Sequence, residues 1–261
     1  MTYLAPIRSE LKLKILLQLL KGSKNLQMLK SSIDARETSI LHVLKEFEGA
    51  ELTTKSGGVY SLTSLGLIDA QICSECLVTS EVMEKFKDLW LSHDLTVIPP
   101  HLIRNLGYLK DSTLIRTDSF ELSKVHKAFL QILLTSKRIR GISPIFHPDY
   151  VPVIEHLLSQ GNQVELILTK AVLEKTLSLA KLDSLKKDFK DERLKIYLKE
   201  NLKVALTVTE KNFSLGFFDL NGVYDYSVDL ISLNQEAIAW GEELFLGSLK
   251  DSGRIGIEDL G

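Results

Sequence analysis

The chain is 261 residues long, 44% apolar and 25% charged, with a formal net charge of −2, values of a soluble protein able to bury one large core or two smaller ones. Its start, MTYLAPIRSELKLKILLQLLKGSKN, has no basic stretch before the apolar run and sets Lys12, Lys14 and Gln18 inside that run. The segment therefore reads neither as a signal peptide nor as a membrane span, and the cytoplasm is the expected location. Through Leu65 nine Lys and Arg stand against six Asp and Glu, and beyond it 23 stand against 28, so the amino-terminal segment is the expected polyanion-facing end.

The first predicted helix is IRSELKLKILLQLLKG, with Leu11, Ile15, Leu16 and Leu19 inward and Gly22 as its stop. NLQMLKSSI follows as a second helix with Asn25 as N-cap. The third lies within DARETSILHVLKEFEG: Ile40, Val43, Leu44 and Phe47 recur at i, i+3, i+4 and i+7, and Thr38, Ser39, His42 and Lys45 lie across from them. That pattern fits an ordinary amphipathic helix as well as one whose polar side reads DNA. The turn before it is only two residues or so, the tight spacing of a helix-turn-helix. LTTKSGGVYSLT then alternates around Gly57-Gly58, a pair suited to positive φ, and predicts two short strands with Lys55 near the tip.

The order helix, helix, helix, GGVYSLTSLG hairpin and new helix resembles the ArsR/MarR-type winged helix over about residues 5 to 70. In that family the third helix enters the major groove and the wing touches the backbone or minor groove. The resemblance therefore implies double-stranded DNA as partner and Arg36, Thr38, Ser39, His42, Lys45 and Lys55 as its contacts. The other use of such a fold is a protein-interaction adaptor.

From Ser64 to His93 the chain stays helical, and Leu65, Ile68, Ile72, Val82, Phe86 and Leu89 follow steps of three and four around a seam interrupted by Glu75 and Thr79. The expectation is a linker helix that forms a homodimer, or a helix packed on its own domain. Cys73 and Cys76 have no second pair, so a zinc site would lack half its ligands and no metal or cofactor is implied.

Pro99-Pro100 breaks the helix and marks a boundary. SFELSKVHKAFLQILLTS (helix), KRIRGISPIF (strand), HPDYVPVIEHLLSQG (helix opened by Pro148) and NQVELILT (strand) predict a parallel βαβ unit. A charged helical stretch follows, then four apolar alternations in LKIYL, LKVALTVTE, FSLGFFDL and YSVDLISL, and a closing helix, NQEAIAWGEELFLGSL. Strand ends that run into helix N-termini are where open α/β sheets place ligands. Ser143, His147 and Tyr150, with Thr169 at the end of the adjacent strand, are therefore the candidate site for a small polar or anionic effector.

These elements resemble the phospholipase-D-like α/β domain used as an effector domain in some archaeal regulators. More closely, the whole chain resembles the methanogen filament-formation and methanogenesis regulators, archaeal transcription factors that join a winged helix to such a domain. ELKLKILLQLLKGSKNL, EKFKDLWLSHDLTVIPPHL, RIRGISPIFHPDY and FFDLNGVYDYSVDLISLNQEAIAWGEELF carry the likeness. Phospholipase-D-type catalysis uses HxKxxxxD, in which the Lys fixes a cation beside a phosphohistidine. The residues two positions after the six His are Leu44, Leu95, Ile103, Ala128, Asp149 and Leu158, none of them Lys. The expectation is therefore a non-enzyme of α+β class: a winged helix-turn-helix over 1–63, a linker and dimerisation helix over 64–98, and an α/β effector-sensing domain over 99–261. A phosphodiester hydrolase with another nucleophile is the alternative from the enzyme class.

Overall fold

A computed structural model describes residues 9–117, 120, 121 and 123–260, and the chain divides into two compact units, Met1–Glu81 and Val82–Gly261. In the first, α1 (Glu10–Leu20), α2 (Leu26–Ser32) and α3 (Glu37–Gly49) are followed by β2 (Thr53–Ser56) and β3 (Val59–Leu62). Ser9 and Asn25 cap α1 and α2 by accepting the Lys12 and Met28 amides, each satisfying an amide that has no partner inside its helix. Ile7 and Arg8, expected to begin the first helix, lie outside the described residues.

Gly57 and Gly58 both take positive φ, 56° and 80°, the backbone that a two-residue hairpin requires, so β2 and β3 pair from Thr53↔Leu62 to Ser56↔Val59. A two-residue strand, β1 (Lys24–Asn25), adds to the other side of β3 and was not expected. Ile15, Leu16, Leu19, Leu29, Ile40, Val43, Leu44 and Phe47 are all buried in one core. Helix α4 (Ser64–Lys85) starts beyond Thr63, whose hydroxyl accepts the Gly66 amide and donates to the Glu51 carbonyl. Gly66 is required there, because a Cβ would overlap the Leu52 carbonyl oxygen.

The second unit contains α5 (Lys87–Ser92), α6 (Pro100–Arg104), α7 (Lys124–Leu134), α8 (Tyr150–Ser159), α9 (Lys170–Leu179), α10 (Leu182–Lys190) and α11 (Gln235–Leu249). Its strands are β4 (Thr113–Arg116), β5 (Arg138–Ser143), β6 (Gln163–Leu168), β7 (Leu194–Leu198), β8 (Val204–Thr209), β9 (Phe213–Phe217), β10 (Val228–Ser232) and β11 (Gly253–Arg254). They form one mixed sheet in the order β11-β7-β6-β5-β8-β9-β10-β4. The βαβ expectation holds: β5 runs parallel to β6, and β6 to β7, whereas β8, β9, β10 and β4 are antiparallel. The expected helix Ser119–Ser136 is shorter, and its Ser119 and Leu122 lie outside the described residues.

Side chains alternate across this sheet. Ile142, Ile167, Leu206 and Val208 join Trp240, Leu244 and Phe245 of α11 in one core. On that face Arg140 donates to Glu165 and Glu242, and Arg138 to Glu242. On the other face Leu166, Leu168 and Ile196 meet residues of α8, α9 and α10, and Ile139 meets Leu133 of α7 and Leu157 of α8.

The expected pairing seam is corrected in part. Val82, Phe86 and Leu89 are buried in the second unit's own core, whereas Ile68 and Ile72 are 59% and 44% exposed. A three-four spacing is the same whether a helix packs on its own domain or on a partner. Lys85, whose ammonium donates to the Lys110 and Ser112 carbonyls, ties this segment to its own unit.

Candidate functional site

Burial of Ile40, Val43, Leu44 and Phe47 fixes which side of α3 faces outward. Thr38, His42 and Lys45 are exposed and recur at i, i+4 and i+7, so they form one line along the helix, with exposed Arg36 ahead of it. Ser39 is half-buried beside that line. Two acids temper the surface, and each is paired: Glu46 with Lys12 at 3.0 Å and His42 at 3.6 Å, and Glu37 with Lys30 at 3.4 Å. Among the described residues Arg36 and Lys45 make no ion pair, so their charges remain available. On the wing, the Lys55 ammonium stands 5.0 Å from the centre of the Tyr60 ring, and the Tyr60 hydroxyl, first among the causes, raises the lysine's pKa.

The second unit holds a cavity of about 250 Å³ between the sheet and helices α7 to α10. Ser143, His147 and Tyr150 line it, as expected. Thr169 does not. Leu166 and Leu168 point into the cavity, so the next residue leaves that face, and the Thr169 hydroxyl accepts the Val172 amide to cap α9. Helix α8 starts at Tyr150 and not at Pro148. Its first amides are already used: Asp149 N–H donates to His147 Nδ1, Tyr150 N–H to the His147 carbonyl and Val151 N–H to the Pro148 carbonyl. The Ser143 hydroxyl likewise donates to the Ile145 carbonyl.

Residues not anticipated complete the site. His126 of α7 stacks on His147 with ring centres 3.9 Å apart, and its Nε2 lies 2.9 Å from Asp149 Oδ2. The three donor atoms of His126, His147 and Asp149 fall within 4.8 Å of one another, an imidazole-carboxylate set that can hold a first-row divalent ion. Burial, then the neighbouring His126, lowers the His147 pKa against the opposing pull of Asp149, which favours the neutral, ligating imidazole.

Deeper in, Asp229 of β10 lines the cavity beside Ser214, Tyr150, Tyr224 and Tyr226. The Ser214 hydroxyl donates to Asp229 Oδ2 at 2.6 Å, while Oδ1 is buried with no hydrogen-bond partner among the described residues. Burial pushes the carboxyl up to about 7, against the Ser214 hydroxyl and the nearby Leu230 and Leu215 amides. Burial also raises the Tyr150 and Tyr224 hydroxyls well above their ordinary value, with Asp229 adding to both. The sequence signal for this group was a lone acid inside the apolar strand VDLIS.

Together these features define a class: a winged helix-turn-helix protein carrying a second, α/β unit with an internal cavity. The chain belongs to the family of the methanogenesis regulatory protein FilR1, whose N-terminal domain model matches residues 5–81 and whose middle domain model matches residues 122–250. The methanogenesis regulatory protein FilR1 of Methanothrix harundinacea (strain 6Ac) is 32% identical over 243 residues, covering 91% of this chain and 54% of that protein. The chain thus spans about half the length of the curated relative it matches. Among solved structures, the archaeal chromatin protein TrmBL2 aligns with a TM-score of 0.45 at 12% identity, over 93% of this chain and 92% of that one. Nuc, a phospholipase D family member from Salmonella typhimurium, aligns with a TM-score of 0.41 at 9% identity, over 55% of this chain and 97% of that one.

Proposed function

We propose that this chain is a DNA-binding transcriptional regulator whose α/β unit is a noncatalytic sensor of a small molecule. The observation that carries it is the exposed line Thr38, His42 and Lys45 on α3, beside a wing that presents Lys55. A helix of this kind enters the major groove with its polar side toward base edges, and lysines contribute phosphate neutralisation. Membership of a family named for regulation supports the reading. It also favours a non-enzyme, as does the lack of Lys two positions after every His. Among the described residues no helix is long and apolar enough to cross a membrane.

Gel-shift titrations over a salt series test it. Lys45→Ala and Lys55→Ala are each expected to weaken binding on all sequences and to lower the salt slope by about 1. On a specific site recovered from a genomic binding map, His42→Ala is expected to cost ~1–3 kcal/mol of discrimination. Binding unchanged in the three single variants and in the triple would overturn the proposal. Retention that ignores salt would favour a protein-interaction adaptor, and turnover of a generic phosphodiester would favour a hydrolase.

The proposed organisation keeps residues 1–63 for DNA, assigns pairing of two copies to the exposed part of α4 ahead of Val82, and gives the second unit, from Val82 onward, to the effector. Exposed Ile68, Ile72 and Cys76 recur every four residues along α4, and two-fold pairing through such a stripe sets two recognition helices on half-sites about a helical turn apart. Sedimentation should find a dimer at micromolar concentration that Ile72→Glu converts to monomer. A monomeric wild type would remove both the homodimer and the palindromic operator.

A further inference from the structure

The cavity's chemistry says what it can hold. Its walls are mostly aliphatic and aromatic side chains, and among the described residues its charged or titratable members are His126, His147, Glu155 and Asp229, with three tyrosines and no Lys or Arg. Glu155 is engaged, since its carboxylate accepts the Lys181 amide. At its mouth the first α8 amides already have acceptors, and the Asp149 carboxylate sits beside them. An anion entering this space would meet the Asp149 and Asp229 carboxyl groups and, among the described residues, no Lys or Arg of the lining, with only hydroxyls and imidazoles to replace its hydration. Asp229 presents the opposite need. The residue is 7% exposed, its Oδ2 is bonded to Ser214, and its Oδ1 has no donor in hydrogen-bonding geometry among the described residues, with the Leu230 and Leu215 amides only near the carboxylate. An unsatisfied buried acceptor is costly, and a ligand that brings a donor removes that cost.

We propose that the cavity takes a small, largely aliphatic molecule with one hydrogen-bond-donating head, an amine or an alcohol, seated against the Asp229 carboxyl group. This rests on the reading of the α/β unit as a small-molecule sensor and narrows the small polar or anionic effector expected from the strand-helix junction to its polar alternative. The volume, about 250 Å³, lies below the ~300–1,000 Å³ that drug-sized ligands occupy, so the tail is short. Tyr150, Tyr224 and Tyr226 stand on the same lining as Asp229.

Octylamine, octanol and octanoate share one tail and differ only in the head. Titrated calorimetrically into the full chain at about one pH unit above neutral, octylamine or octanol is expected to bind at least about tenfold more tightly than octanoate. Octylamine, which brings a positive charge to the carboxylate, is expected to bind more tightly than octanol, and Asp229→Asn should remove most of that difference. The wild-type series stands by itself should that variant not fold. Octanoate binding as tightly as the amine, or an amine preference that persists in a folded Asp229→Asn, would overturn the assignment to Asp229 while leaving a sensor cavity in place. No heat and no thermal stabilisation with any of the three would overturn the sensor reading as well.

Discussion

Replacing Phe86 by Glu is expected to unfold the Val82–Gly261 unit, whereas Ile72→Glu, one stretch earlier on the same predicted seam, leaves both units folded. Phe86 is 3% exposed and meets Trp90 edge-on at 5.9 Å, and Trp90 meets Phe217 of β9 in the same way at 6.2 Å. Losing the ring alone costs ~3–5 kcal/mol. A carboxylate placed among Val82, Leu89 and Phe217 loses its hydration, and the Lys85 ammonium, 5.0 Å from the Phe86 ring centre, already donates to the Lys110 and Ser112 carbonyls, so the buried charge adds several kcal/mol more. Domains are stable by only ~5–15 kcal/mol, so the sum removes most or all of the folded population. Ile72 is 44% exposed, and a charge there is solvated. Circular dichroism with limited proteolysis separates the two: Phe86→Glu should be cleaved throughout the second unit, and Ile72→Glu should give the wild-type pattern. A wild-type melting transition for Phe86→Glu would show that this segment does not belong to the core.

The same pair of residues shows where the sequence was informative and where it was ambiguous. On α3 the buried stripe and the exposed line were both legible, because a single amphipathic helix has only two sides and burying Ile40, Val43, Leu44 and Phe47 decides the other. The wing was legible through Gly57-Gly58, which take the positive φ that the turn demands. Along α4 and α5 the apolar residues were found, but spacing alone could not say that Ala70 and Cys73 join one core and Val82, Phe86 and Leu89 another. Strand β4 went unseen because four residues of moderate β preference acquire their role only by pairing with β10, over a hundred positions later.

Legibility of the cavity followed the same division. The strand-end rule found Ser143, His147 and Tyr150, which are close in sequence, and over-reached at Thr169, where capping of α9 and the period-two alternation both turn the side chain away. His126, Ser214 and Asp229 come from α7, β9 and β10. Only the assembled sheet brings them to the face that Leu166 and Leu168 share. The anionic alternative for the effector leaned on free amides at a helix N-terminus, whereas the first amides of α8 already donate to His147 and Pro148.

Asp229→Asn is expected to stabilise the second unit above neutral pH and to flatten its stability profile in acid. The wild-type carboxyl titrates at about 7 in the folded chain against an ordinary 3.8. Between about pH 4 and 7 the unfolded chain has therefore released this proton while the folded chain still holds it. The unfolded state binds fewer protons, so stability falls as pH rises through this window. Below about pH 4 both states are protonated and nothing is lost; above about 7 the folded state bears the full cost of a buried charge, on the order of 4 kcal/mol. An asparagine is neutral throughout and escapes that cost. Its carbonyl oxygen still accepts the Ser214 hydroxyl, but its amide group must be buried with poor partners, at ~1–3 kcal/mol. The balance is a gain of about 1–3 kcal/mol above neutral pH and a loss of similar size near pH 4. Tyr150 and Tyr224, which burial holds well above this range, stay protonated in both proteins, and His126, His147 and Glu155 of the same lining are common to both, so denaturant melts compared at each pH report chiefly on Asp229. A difference that stays constant from acid to alkaline pH would mean that Asp229 titrates as an ordinary solvated carboxylate and that water, not burial, sets its chemistry.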